Sequence, residues 1–290
     1  MGLGSAHTTI TTADVFLPEE WAALPEKARD ENLVMADLVN RRDSDAKGRG
    51  DRVNIPFVSH VSANAKSANT EVTFNAPTET SVTVTLNRHF ESSVLIEDRA
   101  DIQSAYDLAA AYGYQIGYAL SEQIDTDLTG LYSGLSQTTG TGHTSLTEAN
   151  IVRAIEYLDT ANAPQKDRSF VVHPSAMNSL RQIARFTEYQ TTGMSGAAPM
   201  VGGNNGLVGD VFGVRVYMST NIQRVSGTPG IDHNLMFHKD AFCLVMQKNV
   251  GVEVERKATW LGTAHVASAL WGYAELRDDH AVDLKTVRNT

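Results

Sequence analysis

The chain has 290 residues, of which 42% are hydrophobic and 20% charged, and this composition excludes a disordered or fibrous protein. Its formal net charge of −10 disfavours a protein that grips nucleic acid, because such binding needs many lysines and arginines against the phosphates. A single cysteine excludes an internal disulfide or a cysteine metal cluster, and the most apolar helical run, 108–121, is too short to cross a bilayer.

Residues 1–51 are predicted to form an N-terminal arm. A short helical pattern is interrupted at Pro25, and its apolar side chains include Trp21 and Leu24. The first residues have no basic patch followed by an apolar run, so we expect no signal peptide. A polar, glycine-bearing linker ends the arm.

A long β-hairpin is predicted for residues 52–96, because apolar residues alternate with polar ones along several short runs. The alternating residues are Val53, Ile55, Phe57, Val72, Phe74, Val82, Val84 and Leu86. A polar segment that contains Lys66 predicts a flexible tip. A two-stranded ribbon is marginal alone in water, so its apolar face needs cover, and nothing in the sequence says that the same molecule supplies it.

The strongest helical signal runs from residue 98 to residue 132, where apolar residues recur close to a period of 3.6. Asp98 or Asp101 is expected to cap its start. About thirty residues at 1.5 Å each predict a rod roughly 45 Å long. Acidic residues far outnumber the single base, Arg99, and we interpret them as a solvated face that includes Asp101, Asp107, Glu122, Asp125 and Asp127.

A mixed α/β block follows. Ser145 and Glu148 have capping-box spacing and predict the start of a helix. A strand at 168–173 then leads into a helix with Pro174 in its first turn, and the long loop 187–210 comes next. The remaining strands are predicted at 213–218, 234–238, 241–247, 250–257 and 264–277. Cys243 lies in one of them and is expected to be a small buried hydrophobe in a protein that matures in a reducing compartment.

No arrangement of catalytic or metal-binding residues emerges from the sequence. Ser195 resembles the serine of a nucleophile elbow, but Ala197 stands where that motif needs glycine. His173 follows a strand and precedes a helix, which favours hydrogen bonds to nearby backbone over a role as a base. The nine histidines lack metal-ligand spacing, so we expect neither a metal nor a cofactor. A hydrolase that uses His173 or Ser195 remains an alternative.

The order of these elements and four sequence phrases resemble the major capsid proteins of tailed double-stranded DNA bacteriophages, which have the Hong Kong 97-like fold. The phrases are FVVHPSAMNSLRQIAR, GDVFGVRVYMSTNI, HKDAFCLVMQKNVGVEVE and WGYAELRDDHAVDLKT. The resemblance covers nearly the whole chain and implies an α+β fold. Its implied parts are an N-terminal arm (1–51), an extended β-hairpin loop (52–96), a spine helix (97–135), an axial domain (136–247) and peripheral-domain strands with the C-terminus (248–290).

The resemblance implies a coat protein, not an enzyme, that self-assembles through hexamers and pentamers into an icosahedral shell around the phage genome. The hairpin would lie across a neighbouring subunit. The implied interface residues are Trp21, Leu24, Val53, Ile55, Phe57, Lys66, Phe74, Val82, Val84 and Leu86. The acidic helix face would line the inner wall and repel packed DNA.

Further partners implied by the resemblance are a separate scaffolding protein, a portal, and enclosed DNA that is not bound sequence-specifically. The protein would belong to the virion and assemble in the host cytoplasm. Some family members cross-link a loop lysine to an asparagine, but the sequence around Lys66 and Asn249 does not support such a pair, and we assign none. An encapsulin-like nanocompartment shell, which shares the fold, is the other alternative.

Overall fold

The computed structural model describes residues 33–46, 50–104, 107–183, 207–227 and 230–287. Trp21, Leu24, Ser195 and most of the predicted loop 187–210 lie outside these residues. The described helices are α1 (Met35–Leu38), α2 (Asp98–Gln103), α3 (Leu108–Thr129), α4 (Glu148–Thr160) and α5 (Pro174–Gln182). The described strands are β1 (Asn40–Arg41), β2 (Arg52–Phe57), β3 (Thr80–Thr85), β4 (Arg88–Glu97), β5 (Thr138–Thr139), β6 (Arg168–Val172), β7 (Leu207–Val211), β8 (Val214–Met218), β9 (Arg224–Val225), β10 (Ile231–His238), β11 (Phe242–Lys257), β12 (Gly262–Glu275) and β13 (Ala281–Val287).

A four-stranded sheet has the strand order β1-β11-β12-β4. The long strands β11 and β12 pair antiparallel, with register shifts between Met246 and Gly251. β4 pairs with the other edge of β12. The hairpin prediction for 52–96 was therefore too long, because β4 belongs to this sheet and only β2 and β3 form a separate two-stranded ribbon. The alternating run that contains Val72 and Phe74 does not form a strand.

A second sheet has seven strands, in the order β5-β13-β10-β6-β8-β7, with β9 paired to β10. Every residue of β6 is buried, as expected for a strand covered on both faces. The predicted boundary at residue 247 was wrong in two respects. β11 crosses it without interruption, and β13 lies in the seven-stranded sheet rather than with β11 and β12. The chain passes between the sheets in the short 3₁₀ turns Lys239–Ala241 and Asp278–His280, which carry no strong sequence signal.

The predicted helix from 98 to 132 is divided in two. Ser104 adopts an extended conformation that ends α2, and the Asp107 side chain accepts a hydrogen bond from the Ala110 backbone N–H at the start of α3. The 22 residues of α3 span roughly 33 Å at 1.5 Å per residue. The capping residue, Asp107, is therefore not one of the two acids that we expected from the sequence.

α3 packs on one face of the four-stranded sheet. Its buried side chains Ile116, Leu120, Ile124 and Leu128 belong to a core that also contains Ala267, Ala269 and Trp271 of β12. The small alanines let the helix approach the sheet closely. The same core reaches Leu235 and Phe237 of β10, so it joins both sheets.

α4 and α5 cover the seven-stranded sheet through a second core, which includes Ile151, Leu158, Met177 and Phe170. α4 begins at Glu148, and the side chain of Thr147, not of Ser145, accepts a hydrogen bond from the Asn150 N–H. The capping-box prediction thus located the helix but chose the wrong cap. α5 has Pro174 in its first turn, as predicted.

Candidate functional site

The base of the ribbon is buried against its own chain. Ile55, Val84 and Leu86 are buried together with Cys243 and Val245 of β11, on the face of the four-stranded sheet opposite α3. The prediction that a neighbouring subunit buries these three side chains is therefore wrong. Alternation in the sequence shows that a strand has an apolar face, but it does not show which surface covers that face.

The other predicted interface positions in the ribbon differ in exposure. Val53 and Phe57 are half-buried and pack against the same cluster, and Val82 is also half-buried. Beyond them the chain continues from residue 58 to 79 without regular strands, and every described residue there except Ser59 is exposed. We call residues 58–79 the ribbon tip.

The ribbon tip presents large apolar side chains to solvent. The side chain of Phe74 is 89% exposed, and Val58, Val61 and Val72 are also exposed. Hydrogen bonds across the tip hold its two arms together, because the Asn64 side-chain amide donates to the Asn75 side chain at 2.8 Å. Lys66 Nζ donates to the Thr70 carbonyl at 2.6 Å. An exposed apolar set on a projecting segment is typical of an interaction site.

The predicted acidic face of the long helix is only partly present. Asp125 is 1% exposed and accepts a hydrogen bond from the Met35 backbone N–H at 2.8 Å, which fixes the N-terminal helix α1. Asp127 is 6% exposed and accepts from Trp271 Nε1 at 3.0 Å. These two carboxylates are buried structural groups and not part of a solvated surface, because the C-terminal half of α3 lies between α1 and the sheet.

The remaining predicted acids occupy three different environments. Asp101 is exposed on α2, Asp107 caps α3, and Glu122 is half-buried with its backbone carbonyl accepting from the Asn221 amide. Other exposed acids, which we did not predict as a surface, lie on the face of the four-stranded sheet that α3 leaves open. They are Glu91, Glu253 and Glu255. The strand pairing of the sheet places them on one face, although they are far apart in the sequence, and Glu253 and Glu255 form ion pairs there with Lys248 and Lys257.

His173 stabilises the corner between β6 and α5, as predicted. Its Nδ1 accepts a hydrogen bond from the Ser175 backbone N–H at 3.2 Å and lies 2.9 Å from Ser175 Oγ. Ser175 Oγ donates to Asp232, and Arg224 Nε donates to the same carboxylate at 2.7 Å. Because the hydroxyl already donates to a carboxylate that is paired with arginine, this cluster fixes the corner and does not have the arrangement of a serine nucleophile activated by a histidine.

A shallow cleft lies where α2 meets the turn between β11 and β12. The cleft has a volume of about 600 Å³, and its apolar lining residues are Ile102, Trp260 and Leu261. Asp98 forms a bidentate ion pair with Arg256 beside it, and this hydrogen-bonded guanidinium holds the pKa of the Asp98 carboxyl below its usual value. No sequence signal marked this cleft, because α2 and the turn are about 160 residues apart.

No group of three or more side chains suited to hold a metal ion occurs in the described part of the chain. Within the same ranges, none of the helices combines the length and the apolar character that a membrane span requires.

One buried titratable pair lies where the chain passes between the two sheets. The rings of His238 and His280 are 5.9 Å apart, edge to face. Burial lowers the pKa of His280; Arg277 and His238 lower it further, while Asp279 and Asp240 oppose the shift. The neutral ring is thus the form that the folded protein favours.

We expect the free energy of unfolding to fall as the pH drops below about 6.5, because the unfolded chain then binds a proton that folded His280 resists. The contribution of neutral His280 to the free energy of unfolding is fully present above the ordinary histidine pKa. It is lost as the pH falls toward the lower pKa that His280 has in the folded protein. Urea unfolding of the subunit at pH 7.5, 6.5 and 5.5 measures it. His280→Gln should flatten this slope, whereas the matched replacement His89→Gln, at an exposed position, should not. An unchanged slope in His280→Gln would contradict the assignment.

The fold matches solved capsid structures over almost the whole chain. It matches a protein of Mycobacterium phage Che8 with a TM-score of 0.76 and 23% identity, covering 93% of this chain and 97% of that one. The capsid of Cyanophage P-SCSP1u gives a TM-score of 0.77 at 20% identity, covering 99% and 97%. The capsid of Ralstonia phage GP4 gives 0.72 at 15% identity, covering 98% and 99%. Comparison with curated protein sequences gives no match.

The family model described as phage capsid protein matches residues 79–274, from the end of the ribbon tip to the end of β12. This range includes α3, most of the seven-stranded sheet and both long strands of the four-stranded sheet. The predicted coat function, the α+β Hong Kong 97-like fold and the structural rather than enzymatic role are thereby confirmed. The family match places the protein in the phage capsid. The chain belongs to the phage capsid protein family.

Proposed function

We propose that this coat protein is the major shell subunit of a tailed double-stranded DNA bacteriophage and forms hexamers and pentamers, with the ribbon tip lying on a neighbouring subunit. The observation that carries the proposal is the exposure of Phe74, at 89%, on a segment whose base is firmly packed. Burying one such side chain contributes about 1.5–3 kcal/mol. A closed shell repeats each contact many times, so individually weak contacts suffice.

The two sheets support a division into an axial and a peripheral domain that differs from the one in the sequence prediction. We assign the seven-stranded sheet with α4 and α5, including β13, to the axial domain. The four-stranded sheet with α3 forms the peripheral domain, and its spine helix is α3. The ribbon is the extended loop, restricted to residues 52–85.

The remaining partners follow from the same role. The shell encloses double-stranded DNA without sequence-specific binding, and a separate scaffolding protein and a portal complete the assembly in the host cytoplasm. The net charge of −10 supports weak adhesion to the DNA. Asp101, Asp107 and Glu122 remain candidates for an inner acidic surface, whereas the buried Asp125 and Asp127 do not.

Replacing Phe74 with Asp tests the proposal, because a charge in an apolar contact removes its stabilisation and adds a desolvation cost. We expect the variant to give at least about tenfold fewer shells or capsomers than the unmodified protein in negative-stain electron microscopy, since the loss is repeated at every contact. Circular dichroism should show an unchanged subunit fold, because the side chain is exposed.

The matched control is Val152→Asp. It introduces the same charge at an apolar side chain that is 47% exposed but lies on α4, outside the ribbon tip. Normal shells from Phe74→Asp would refute the role of the ribbon tip.

The contents of the purified shells separate the phage role from the encapsulin alternative, since a nanocompartment encloses protein cargo rather than DNA.

A further inference from the structure

We propose that the loop between β8 and β9, residues 219–223, is a latch that fixes the angle between the seven-stranded sheet and helix α3, with Asn221 as its positioning residue. We call residues 219–223 the latch loop. The latch is a property of the single subunit. Its consequence for the shell, which is that subunits without the latch form shells of uneven size, rests on the proposed function.

The latch loop is hydrogen-bonded to one face of α3. The Asn221 side chain donates from Nδ2 to the Glu122 carbonyl at 3.1 Å, and its Oδ1 accepts from the Thr126 hydroxyl at 2.9 Å. Gln223 Nε2 donates to the Thr126 carbonyl at 3.2 Å. The Thr129 hydroxyl donates to the Asn221 carbonyl at 3.1 Å. The three helix residues are spaced by four and three positions, so they form one stripe along α3.

The latch loop is also anchored in the seven-stranded sheet. Ser219 is 1% exposed, and its backbone N–H donates to the Val172 carbonyl at 3.1 Å. Ser219 Oγ accepts from the Asn221 N–H at 3.1 Å. At the other end of the loop, the His233 N–H donates to the Gln223 carbonyl at 3.1 Å. Because the sheet holds both ends of the loop, the loop transmits the position of the sheet to the helix.

The other contacts between the two sheets do not set a direction. The core that joins them consists of apolar side chains, and apolar attraction is not directional. Two of the chain crossings, the turns Lys239–Ala241 and Asp278–His280, lie side by side, since the Leu276 N–H donates to the Ala241 carbonyl at 2.8 Å. Two adjacent crossings form a pivot. Hydrogen bonds weaken steeply when they are misaligned, so the latch supplies the directional contact.

The latch lies at a distance from this pivot. β10 ends at His238, directly before the first turn, and the latch loop meets β10 at His233. Five residues of strand separate the two points by roughly 17 Å. The remaining connection between α3 and the seven-stranded sheet begins with the 3₁₀ turn Gly130–Gly134, which ends the α-helix and does not set its direction. A pivot and a directional contact far from it together fix an angle.

The angle matters for the shell because each copy carries contact surfaces on both sheets. A closed shell forms when every copy presents these surfaces in the same relative direction. A subunit with a range of angles makes contacts that close with different curvature. We therefore expect subunits that lack the latch to form shells with a wider range of diameters.

Spin labels on the two sides of the junction measure the angle in the free subunit. Glu91→Cys in β4 and Glu156→Cys in α4 are exposed labelling positions. Cys243 stays unlabelled, because it is buried and its thiol pKa is raised to about 11. Double electron–electron resonance gives the distribution of distances between the labels. We expect Asn221→Ala combined with Gln223→Ala to broaden this distribution at least about twofold.

The matched control is Asn54→Ala. Asn54 Oδ1 also accepts from a threonine hydroxyl, that of Thr83 at 2.7 Å, but inside the ribbon, so the distribution should stay narrow. Thr126→Val removes the contact with Asn221 from the helix side and should broaden it. The Asn221 variant should fold, because the Thr126 hydroxyl also lies 2.9 Å from the Glu122 carbonyl and donates there instead. We expect its melting temperature to fall by about 5 °C or less.

A narrow distribution in both Thr126→Val and the double alanine variant would refute the latch. Shell diameters in negative-stain electron microscopy test its consequence, and we expect the double alanine variant to show at least about twice the spread of the unmodified protein. Uniform shells from a variant with a broadened distance distribution would refute the consequence for the shell. If the unmodified protein forms no shells, the proposed function fails, whereas the distance measurement still decides the role of the latch.

Discussion

Trp271→Ala should lower the free energy of unfolding of the subunit by about 3–5 kcal/mol, the largest effect that we expect from a single truncation. Trp271 is fully buried in β12, and its ring stacks on Phe90 with centroids 5.2 Å apart. Its removal leaves a cavity under α3. It also removes the indole N–H that donates to Asp127, so a buried carboxylate loses a hydrogen-bond donor.

Urea unfolding of unassembled subunits, followed by circular dichroism, measures this effect. Trp260→Ala is the matched control, because the same residue type is 66% exposed there, and we expect a change within about 0.5 kcal/mol. Trp271→Phe should fall between the two, since it keeps most of the ring volume but not the N–H donor. Similar stabilities for Trp271→Ala and Trp260→Ala would show that the core does not depend on this residue.

Gly272→Ala should loosen the base of the ribbon, with a cost of about 1–3 kcal/mol from overpacking. A Cβ at position 272 would clash with the Thr85 carbonyl and would lie 2.9 Å from Leu86 Cδ2. The ribbon crosses β12 here, so the backbone of β3 has to move. Gly113→Ala is the matched control. A Cβ there meets open space within helix α3, and we expect about 0.5–1 kcal/mol of added stability.

Cys243 reports this movement, because it lies beneath Val84 and Leu86. Burial raises the pKa of its thiol to about 11, so the native protein should react slowly with thiol reagents at neutral pH. Gly272→Ala should increase the labelling rate about tenfold or more by making local opening easier. If labelling of Gly272→Ala is as slow as in the unmodified protein, the ribbon base does not depend on glycine at this crossing.

The prediction of the individual elements was strongest where a pattern is local and periodic. Helix α3, which occupies most of the predicted helical run 98–132, the strand before His173 and the helix after Pro174 follow from apolar periodicity and from proline at the first helical turn. The role of His173 at this corner was also predictable, since a side chain between a strand and a helix lies next to free backbone N–H groups. Each of these features depends on residues that are close together in the sequence, and the structure confirms each of them.

The sites that we assigned from the sequence were less accurate, because exposure depends on contacts between distant residues. Asp125 and Asp127 were expected in solvent, but α1 and β12 bury them from 90 and 144 residues away. Ile55 and Val84 were expected to be buried by a neighbouring subunit, but β11 of the same chain covers them. The cleft at Trp260 was missed because neither α2 nor the turn has a pattern that indicates the other.

The sequence by itself determined the fold class, the coat function through resemblance, and the presence of a projecting ribbon with an apolar stripe. These properties depend on composition and on short-range alternation, which the chain carries locally. Only the tertiary structure decided that the stripe divides into a buried base and an exposed tip, and that β13 returns to the seven-stranded sheet. Pairing and packing between segments that are far apart in the sequence set those outcomes. No local pattern encodes which segment will cover the apolar face of a strand.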